Sequence, residues 1–524
     1  MKYLPLYILC FLCLTSAQAQ TAPSIIWQAS YGGEAGDYAT DIIYTINGNL
    51  VMCGNTSSKN FYINIRKGKY TDFMLLNIDV NNSALNWSQV YGGSSSSVMG
   101  KLYEVDKGFF VAGYITGGGK DVTRYDSSND FWSIKTDYYG KIVWDRTLGG
   151  SGYDFYKTGM PTKDGGYIYA GQTNSTDGDV INPTGKYNNW IVKTSSIGSI
   201  EWQKIIYGDT GIVVKWPSAR VAIEDIQQTK DEGFILTGFE SDTVSLYADA
   251  MAAKLDKHGN VAWKKKYGGD STDVANSIKQ TLDGGYILAG YSKSSNKDVD
   301  TNYGDNDVWI VKLNSSGGLE WQKTYGGSRA DVAREIIPCI EGGYLFVGTT
   351  ASNDGMVTGN HSIADIRDAW AVKIDDTGKI LWQKCLGGTD EDFCNAAIQL
   401  PDASFVLAGG SKSQNGDVTS NAGDTDAWIV KLSNPAASVE RAQLNEIYFS
   451  VYPNPCDELL NVQLKEKVVG TMQLLDVKGR LLYSSNIDNK THHSINTATI
   501  TAGIYTLVVR AEDGWLAKQI IIQH

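Results

Sequence analysis

Two motifs recur seven times each along this chain, in fixed phase, and that repetition restricts the fold more than any other feature. The first is W-x₃₋₄-[YL]-G-[GD], with Trp at 27, 87, 144, 202, 263, 321 and 382. The intervals are 60, 57, 58, 61, 58 and 61 residues. The second is D-x-W-x-x-K, beginning at Asp72, Asp130, Asn188, Asp249, Asp307, Asp368 and Asp426, with Met74 and Met251 in place of Trp. Each period holds four short runs rich in Ile, Val, Tyr and Trp. In the fifth they are 273–281, 284–292, 307–314 and 318–325, separated by Gly, Asn, Asp and Ser. Helical solenoids are excluded, and β-solenoid coils of about 20–30 residues are too short for this period. Four-stranded blades arranged radially fit it.

The phase of the ends points to a closed ring. The chain enters through a fourth-strand motif alone, SIIWQASYGG (24–33), and its last repeat stops after a third-strand motif, DAWIVKL (426–432). The early strand is the one that the last blade lacks. We therefore expect an all-β protein with a seven-bladed β-propeller over residues 20–432, closed by its N-terminal strand. On these motifs the chain resembles secreted bacterial β-propeller repeat proteins. Stretches such as Asp137-Tyr-Tyr-Gly140 to Trp144 are also similar to the Trp-docking repeats of quinoprotein propellers, through shared blade packing.

Residues 1–19 (MKYLPLYILCFLCLTSAQA) have the form of a secretory signal peptide: Lys2, an apolar run, then Ala17-Gln18-Ala19. No later stretch is apolar for long enough to span a bilayer as a helix. Five cysteines follow, Cys53, Cys339, Cys385, Cys394 and Cys456. An odd and scattered set is no disulfide framework, although Cys385 and Cys394 are close enough for one local bond. The net charge of −12 argues against nucleic acid and anionic membranes as main partners.

Residues 433–446 are polar and aperiodic, a linker. Residues 447–524 lack the repeat motifs and carry strand-like runs at 447–455, 458–464, 471–485, 500–510 and 516–524, which read as a small β-sandwich. Tyr452-Pro453-Asn454-Pro455, Asp476-x-x-Gly479-Arg480 and Ala502-Gly503-Ile504-Tyr505 resemble the type A C-terminal sorting domain of type IX secretion cargo. The resemblance implies passage across the inner and outer membranes by the type IX secretion machinery, then removal of the domain and attachment at the cell surface or release.

If the strands run from the axis outward, loops 4→1 and 2→3 share one face, long and acidic, and the tight turns 1→2 and 3→4 share the other. Loops on a rigid scaffold commonly carry function. The 4→1 loop reads GG-x₃-D in five repeats, giving Asp37, Asp154, Asp273, Asp331 and Asp392. These could ring a channel mouth as a ligand site, or each could cap its own Gly-Gly turn. The 2→3 loops carry Asp298, Asp300, Asn302 and Asp305, and Asp417, Asn421 and Asp424. Alternating side-chain oxygens of this kind suit calcium, or solvated Asx turns. The spacing departs from the familiar calcium loop at Gly304 and Gly423, one place late. No other cofactor is expected. The fourth repeat inserts GDTGIVVKWPSAR (208–220), bringing Trp216 and Arg220, residue types enriched at binding hot spots, or a packing plug.

Three functions stay open. One is a non-catalytic module binding glycan or protein on the long-loop face. The second is a polysaccharide-degrading hydrolase of endoglucanase type, working through two loop carboxylates. The third is a structural surface protein without a discrete ligand. No catalytic residue can be named: the sequence holds no G-x-S-x-G, H-E-x-x-H, Walker or dinucleotide fingerprint.

Overall fold

The computed structural model describes residues 22–60, 68–125, 128–181, 187–206, 221–241, 247–362, 365–435, 449–465, 467–476, 479–511 and 514–524. The signal-peptide expectation for 1–19 and most of the 433–446 linker fall outside them. So do Trp216 and Arg220.

Seven four-stranded antiparallel sheets follow one another along the chain, each in simple up-and-down order. Blade 5 is representative, with strands Asp273–Gln280, Tyr286–Ser292, Asp307–Leu313 and Leu319–Tyr325. The seventh sheet takes Asp392–Gln399, Phe405–Ser411 and Asp426–Leu432 from the C-terminal end of the repeats, and its outer strand Ile25–Tyr31 from the N-terminus. The propeller is closed in the way the phase of the motifs requires.

Burial explains the repeated residues. Third strands are covered on both faces by neighbouring blades, and every residue of Asp307–Leu313 is buried. A tryptophan there must still satisfy its indole N–H. Trp309 donates to Gln322 Oε1 at 2.9 Å, and Trp190 and Trp370 donate to Gln203 and Gln383 in the same way. Each glutamine directly follows a fourth-strand tryptophan. In the last blade Trp428 donates to Gln28, supplied by the N-terminal strand. The motif lysine is equally committed: the buried Lys312 ammonium lies 2.7 Å from Asp283 and 2.8 Å from Glu320.

Fourth-strand tyrosines tie blade to blade. Tyr91, Tyr267 and Tyr325 donate their hydroxyls to the carbonyls of Gly140, Gly317 and Gly378 in the next blade's 3→4 turn. Gly317 holds φ +74° there, with the Trp263 ring where a side chain would stand. Tyr31 closes the ring by donating to Ser83 of blade 1 at 2.6 Å.

The C-terminal module is a β-sandwich. Three strands (Phe449–Tyr452, Leu459–Leu464, His492–Asn496) face four in the order Leu481–Asp488, Val469–Asp476, Gly503–Ala511, Gly514–Ile522. The run 471–485 is thus two strands joined at Asp476–Arg480, and His492–Asn496 is a strand that its polar sequence did not announce. The module rests on the tight-turn face of the propeller. Leu475, Leu481 and Val508 pack against Ile340 and Ala403 in the 1→2 turns of blades 6 and 7, and the Arg510 guanidinium donates to the carbonyls of Cys339 and Ile340.

Candidate functional site

The five GG-x₃-D carboxylates stand at the start of the innermost strands, and all are fully buried. Each accepts the N–H of its own turn glycine and a serine hydroxyl from the 2→3 loop, at 2.6–2.9 Å. Burial raises Asp154, Asp273, Asp331 and Asp392 above the ordinary carboxylate range, against the pull of these hydrogen bonds. In this geometry Asp37, Asp154, Asp273, Asp331 and Asp392 fasten the 4→1 loop to the 2→3 loop of the same blade.

The 2→3 loops are built as Asx turns. Asn302 and Asn421 accept Gly304 N–H and Gly423 N–H, while their amides donate to backbone carbonyls. Asp298 and Asp417 accept from Gly268 and Gly387. Asp305 is paired with Lys293 and Asp424 with Lys412, and Asp300 is exposed. A calcium ion here would have to displace two lysines. Among the described residues no three His, Cys, Asp or Glu side chains converge as a metal cluster. Cys385 and Cys394 are buried free thiols, and burial pushes Cys394 up to about 12.

One constellation was not read from the sequence. Every innermost strand carries a β-bulge three residues after its first position, marked by register shifts at 39/41, 99/101, 156/158, 223/225, 275/277, 333/335 and 394/396. A bulge leaves its extra residue out of the ladder and re-aims its side chain. The bulged residues are Thr40, Gly100, Lys157, Glu224, Asn276, Arg334 and Asn395. Four of them bridge neighbouring blades: Asn276 donates to Ala333 O, Asn395 to Ala39 O, and Lys157 meets Glu224 at 2.5 Å. Arg334 is exposed. Partial desolvation opposes its charge, Glu224 favours it and Arg367 opposes it. Neither arginine side chain has a hydrogen-bond or ion-pair partner among the described residues. The chemistry of this ring varies from blade to blade, whereas the loop aspartate recurs in five of the seven.

Aromatic side chains flank it. Phe155 meets Tyr114 edge-on at 5.7 Å and stacks on Tyr153 at 6.1 Å, and Tyr38 meets Phe393 at 6.4 Å. Tyr153 is half exposed. One residue further along the strands, Asp41, Asp225 and Glu335 accept the N–H of Leu102, Ile278 and Ala397 in the following blades, with Lys279 lying between Asp225 and Glu335. Burial works against the charge on Lys101, but Asp41, Glu335 and Asp225 outweigh it and keep the ammonium protonated. This deeper layer holds the blades together beneath the ring.

The sorting motifs shape turns and ends. Gly479 takes φ +74° in a turn that Asp476 closes by accepting Arg480 N–H. Asn454 bonds Gln519 O and Ile521 N–H, fixing the Tyr452-Pro453-Asn454-Pro455 loop to the last strand. Tyr505, two residues into the strand that Gly503 begins, donates to Thr501 O at 2.5 Å.

The fold is that of a closed seven-bladed propeller with an appended β-sandwich. Residues 450–523 match the family described as secretion system C-terminal sorting domain. The chain is accordingly a type IX-sorted propeller protein, secreted or held at the cell surface, and no helix among its described residues is long and apolar enough to cross a membrane. No curated protein matches the sequence. Among solved structures it is similar to a fungal alcohol oxidase of the AA5 family in complex with copper (11% identity, 96% of this chain and 100% of that one, TM-score 0.48). It is also similar to the Pan2 WD40 domain of Neurospora crassa (8%, 78% and 96%, 0.44). A third similar structure is PorZ, a surface component of the type IX secretion system of Porphyromonas gingivalis (10%, 96% and 87%, 0.29).

Proposed function

We propose that this protein is a non-catalytic binding module that takes an acidic glycan at the channel mouth on the long-loop face. The observation that carries this reading is the bulge ring: Lys157, Glu224, Asn276 and Arg334 occupy one symmetric position with unlike chemistry, beside Tyr153 and Phe155. Aromatic faces suit the apolar faces of sugars, and a guanidinium suits a carboxylate. Arg334 and Arg367, two unpaired cations near each other, favour an anionic group on the ligand. Hydrolysis by a carboxylate pair finds less support, because Glu224 is the one carboxylate in the ring and is tied to Lys157. Trp216 and Arg220 lie outside the described residues, and the binding expected of them from the sequence is tested together with the ring.

The test is a glycan array run with the full chain, paired with a reducing-sugar release assay on every glycan bound. Binding of uronate-bearing or otherwise acidic glycans without release supports the proposal. Sugar release would establish the hydrolase instead, and binding confined to neutral glycans would remove the arginines from it. Trp216→Ala is expected to weaken binding by about tenfold, roughly 1.4 kcal/mol, with an unchanged melting temperature.

A further inference from the structure

Nearer the long-loop mouth than the bulge ring lies a second layer of side chains. In each blade it consists of the second residue of the innermost strand and the second-strand residue directly opposite it. Opposed residues of an antiparallel pair share one face of the sheet, so the two positions are equivalent in what they present. One of the two is aromatic in six blades: Tyr38 in blade 1, Tyr114 in blade 2, Phe155 in blade 3, Phe239 in blade 4, Tyr291 in blade 5 and Phe393 in blade 7. All six rings are half-buried. Blade 6 pairs Val332 with Thr349 at this level and has no ring.

This layer is turned toward the next blade. On the second strand of blade 5, Ile287 and Ala289 pack with Ala333 and Ile336 of blade 6, and Tyr291 continues the same side of that strand. Contacts between rings cross two junctions, from Phe393 of blade 7 to Tyr38 of blade 1 and from Tyr114 of blade 2 to Phe155 of blade 3. Tyr153 lies parallel to Phe155, with 6° between the ring planes, and extends the aromatic surface outward into solvent. The hydroxyls of Tyr114 and Tyr291 have no hydrogen-bond partner among the described residues, which leaves them for the hydroxyls of a ligand.

Charge is distributed unevenly around this collar. Blade 6, where the rings are interrupted, supplies Arg334, whereas the other cation of the bulge ring, Lys157, is neutralised by Glu224. The 4→1 loops that lead into Tyr38 and Phe393 expose Glu34, Asp390 and Glu391. The face of an aromatic ring carries negative charge, so it suits the C–H face of a neutral sugar and repels a carboxylate. The net charge of −12 acts in the same sense against a polyanion. Resting on the acidic-glycan reading of the bulge ring, we propose that the collar is a stacking platform for neutral sugars. The ligand is then an oligosaccharide of neutral units bearing one acidic unit, held at blade 6. A chain charged at every unit would set its remaining carboxylates against the rings and against Glu34, Asp390 and Glu391.

The experiment titrates the full chain by calorimetry, at constant ionic strength, with three probes of equal length. They are a tetrasaccharide of neutral hexoses, the same tetrasaccharide with one unit replaced by a uronate, and tetragalacturonate. The singly charged probe is expected to bind about tenfold or more tighter than either of the others. The Tyr38→Ala, Phe393→Ala double variant should weaken it about tenfold, whereas Tyr38→Phe, which keeps the ring, should stay within about twofold of the wild type. Should the double variant fold poorly, Tyr153→Ala alters a half-exposed side chain and is expected to weaken binding severalfold. Tetragalacturonate bound as tightly as the singly charged probe, or unchanged affinity in stably folded collar variants, overturns the platform and leaves acidic-glycan recognition at Arg334 standing. No binding of either acidic probe overturns both.

Discussion

At the scale of single residues, the repeat is maintained by buried polar groups with assigned partners. Asp37, Asp154, Asp307, Asp392 and Asp426 each leave one buried Oδ1 without a partner, and Asp307 is the one worth measuring. It is fully buried, its Oδ2 accepts Tyr303 N–H, and its Oδ1 lacks a hydrogen-bond partner. Asp331 stands beside it, since one glycine, Gly326, is flanked by both carboxylates. Burial, with Asp331 and Asp305 adding repulsion, raises Asp307 to about 7. A carboxyl whose pKa rises on folding contributes stability that is complete below the unfolded value near 4 and is lost as pH climbs through about 7. The loss is on the order of 4 kcal/mol. Asp307→Asn should therefore raise the melting temperature at pH 8, with the gain disappearing at pH 5, as followed by thermal unfolding across that range. A second expectation concerns the loop carboxylates. The double change Asp273→Asn, Asp331→Asn should act on stability, by about 1–3 kcal/mol in denaturant unfolding, since each carboxylate satisfies buried donors. It should leave glycan affinity within about twofold, because neither side chain reaches solvent.

At the scale of elements, the strands follow from their sequences because each blade position has its own burial. Third strands bury all or all but one of their residues, while fourth strands such as Leu319–Tyr325 remain half open. The closing strand Ile25–Tyr31 was legible for the same reason, as a fourth-strand motif without the other three. What stayed hidden was the bulge. Aligning the repeats on their GG-x₃-D aspartate shows Thr40, Gly100, Lys157, Glu224, Asn276, Arg334 and Asn395 varying three residues on, but alternation alone assigns that position to a paired strand. Only the register shift turns those side chains out of the ladder. The sorting-domain strand His492–Asn496 was missed because a short, exposed strand has no apolar face to reveal it. Deleting residues 24–33 removes the Gln28 acceptor of Trp428 and the Tyr31 link to Ser83. The melting temperature should drop by several degrees or more in a scanning experiment, and an unchanged value would contradict ring closure.

At the scale of the whole molecule, the two ends of the channel differ. One opens among long loops beside an asymmetric ring of charge. The other faces tight turns and is roofed by the sorting domain, whose removal at 447–524 should leave the propeller in the periplasm when cell fractions are blotted. The central claim is that recognition resides in the bulge ring and not in the symmetric loop aspartates. The most direct measurement is glycan affinity of the full chain beside its Arg334→Ala variant, both checked for equal melting temperature. Arg334→Ala is expected to lose affinity about tenfold or more. An affinity equal to that of the wild type in a stably folded Arg334→Ala protein would contradict it.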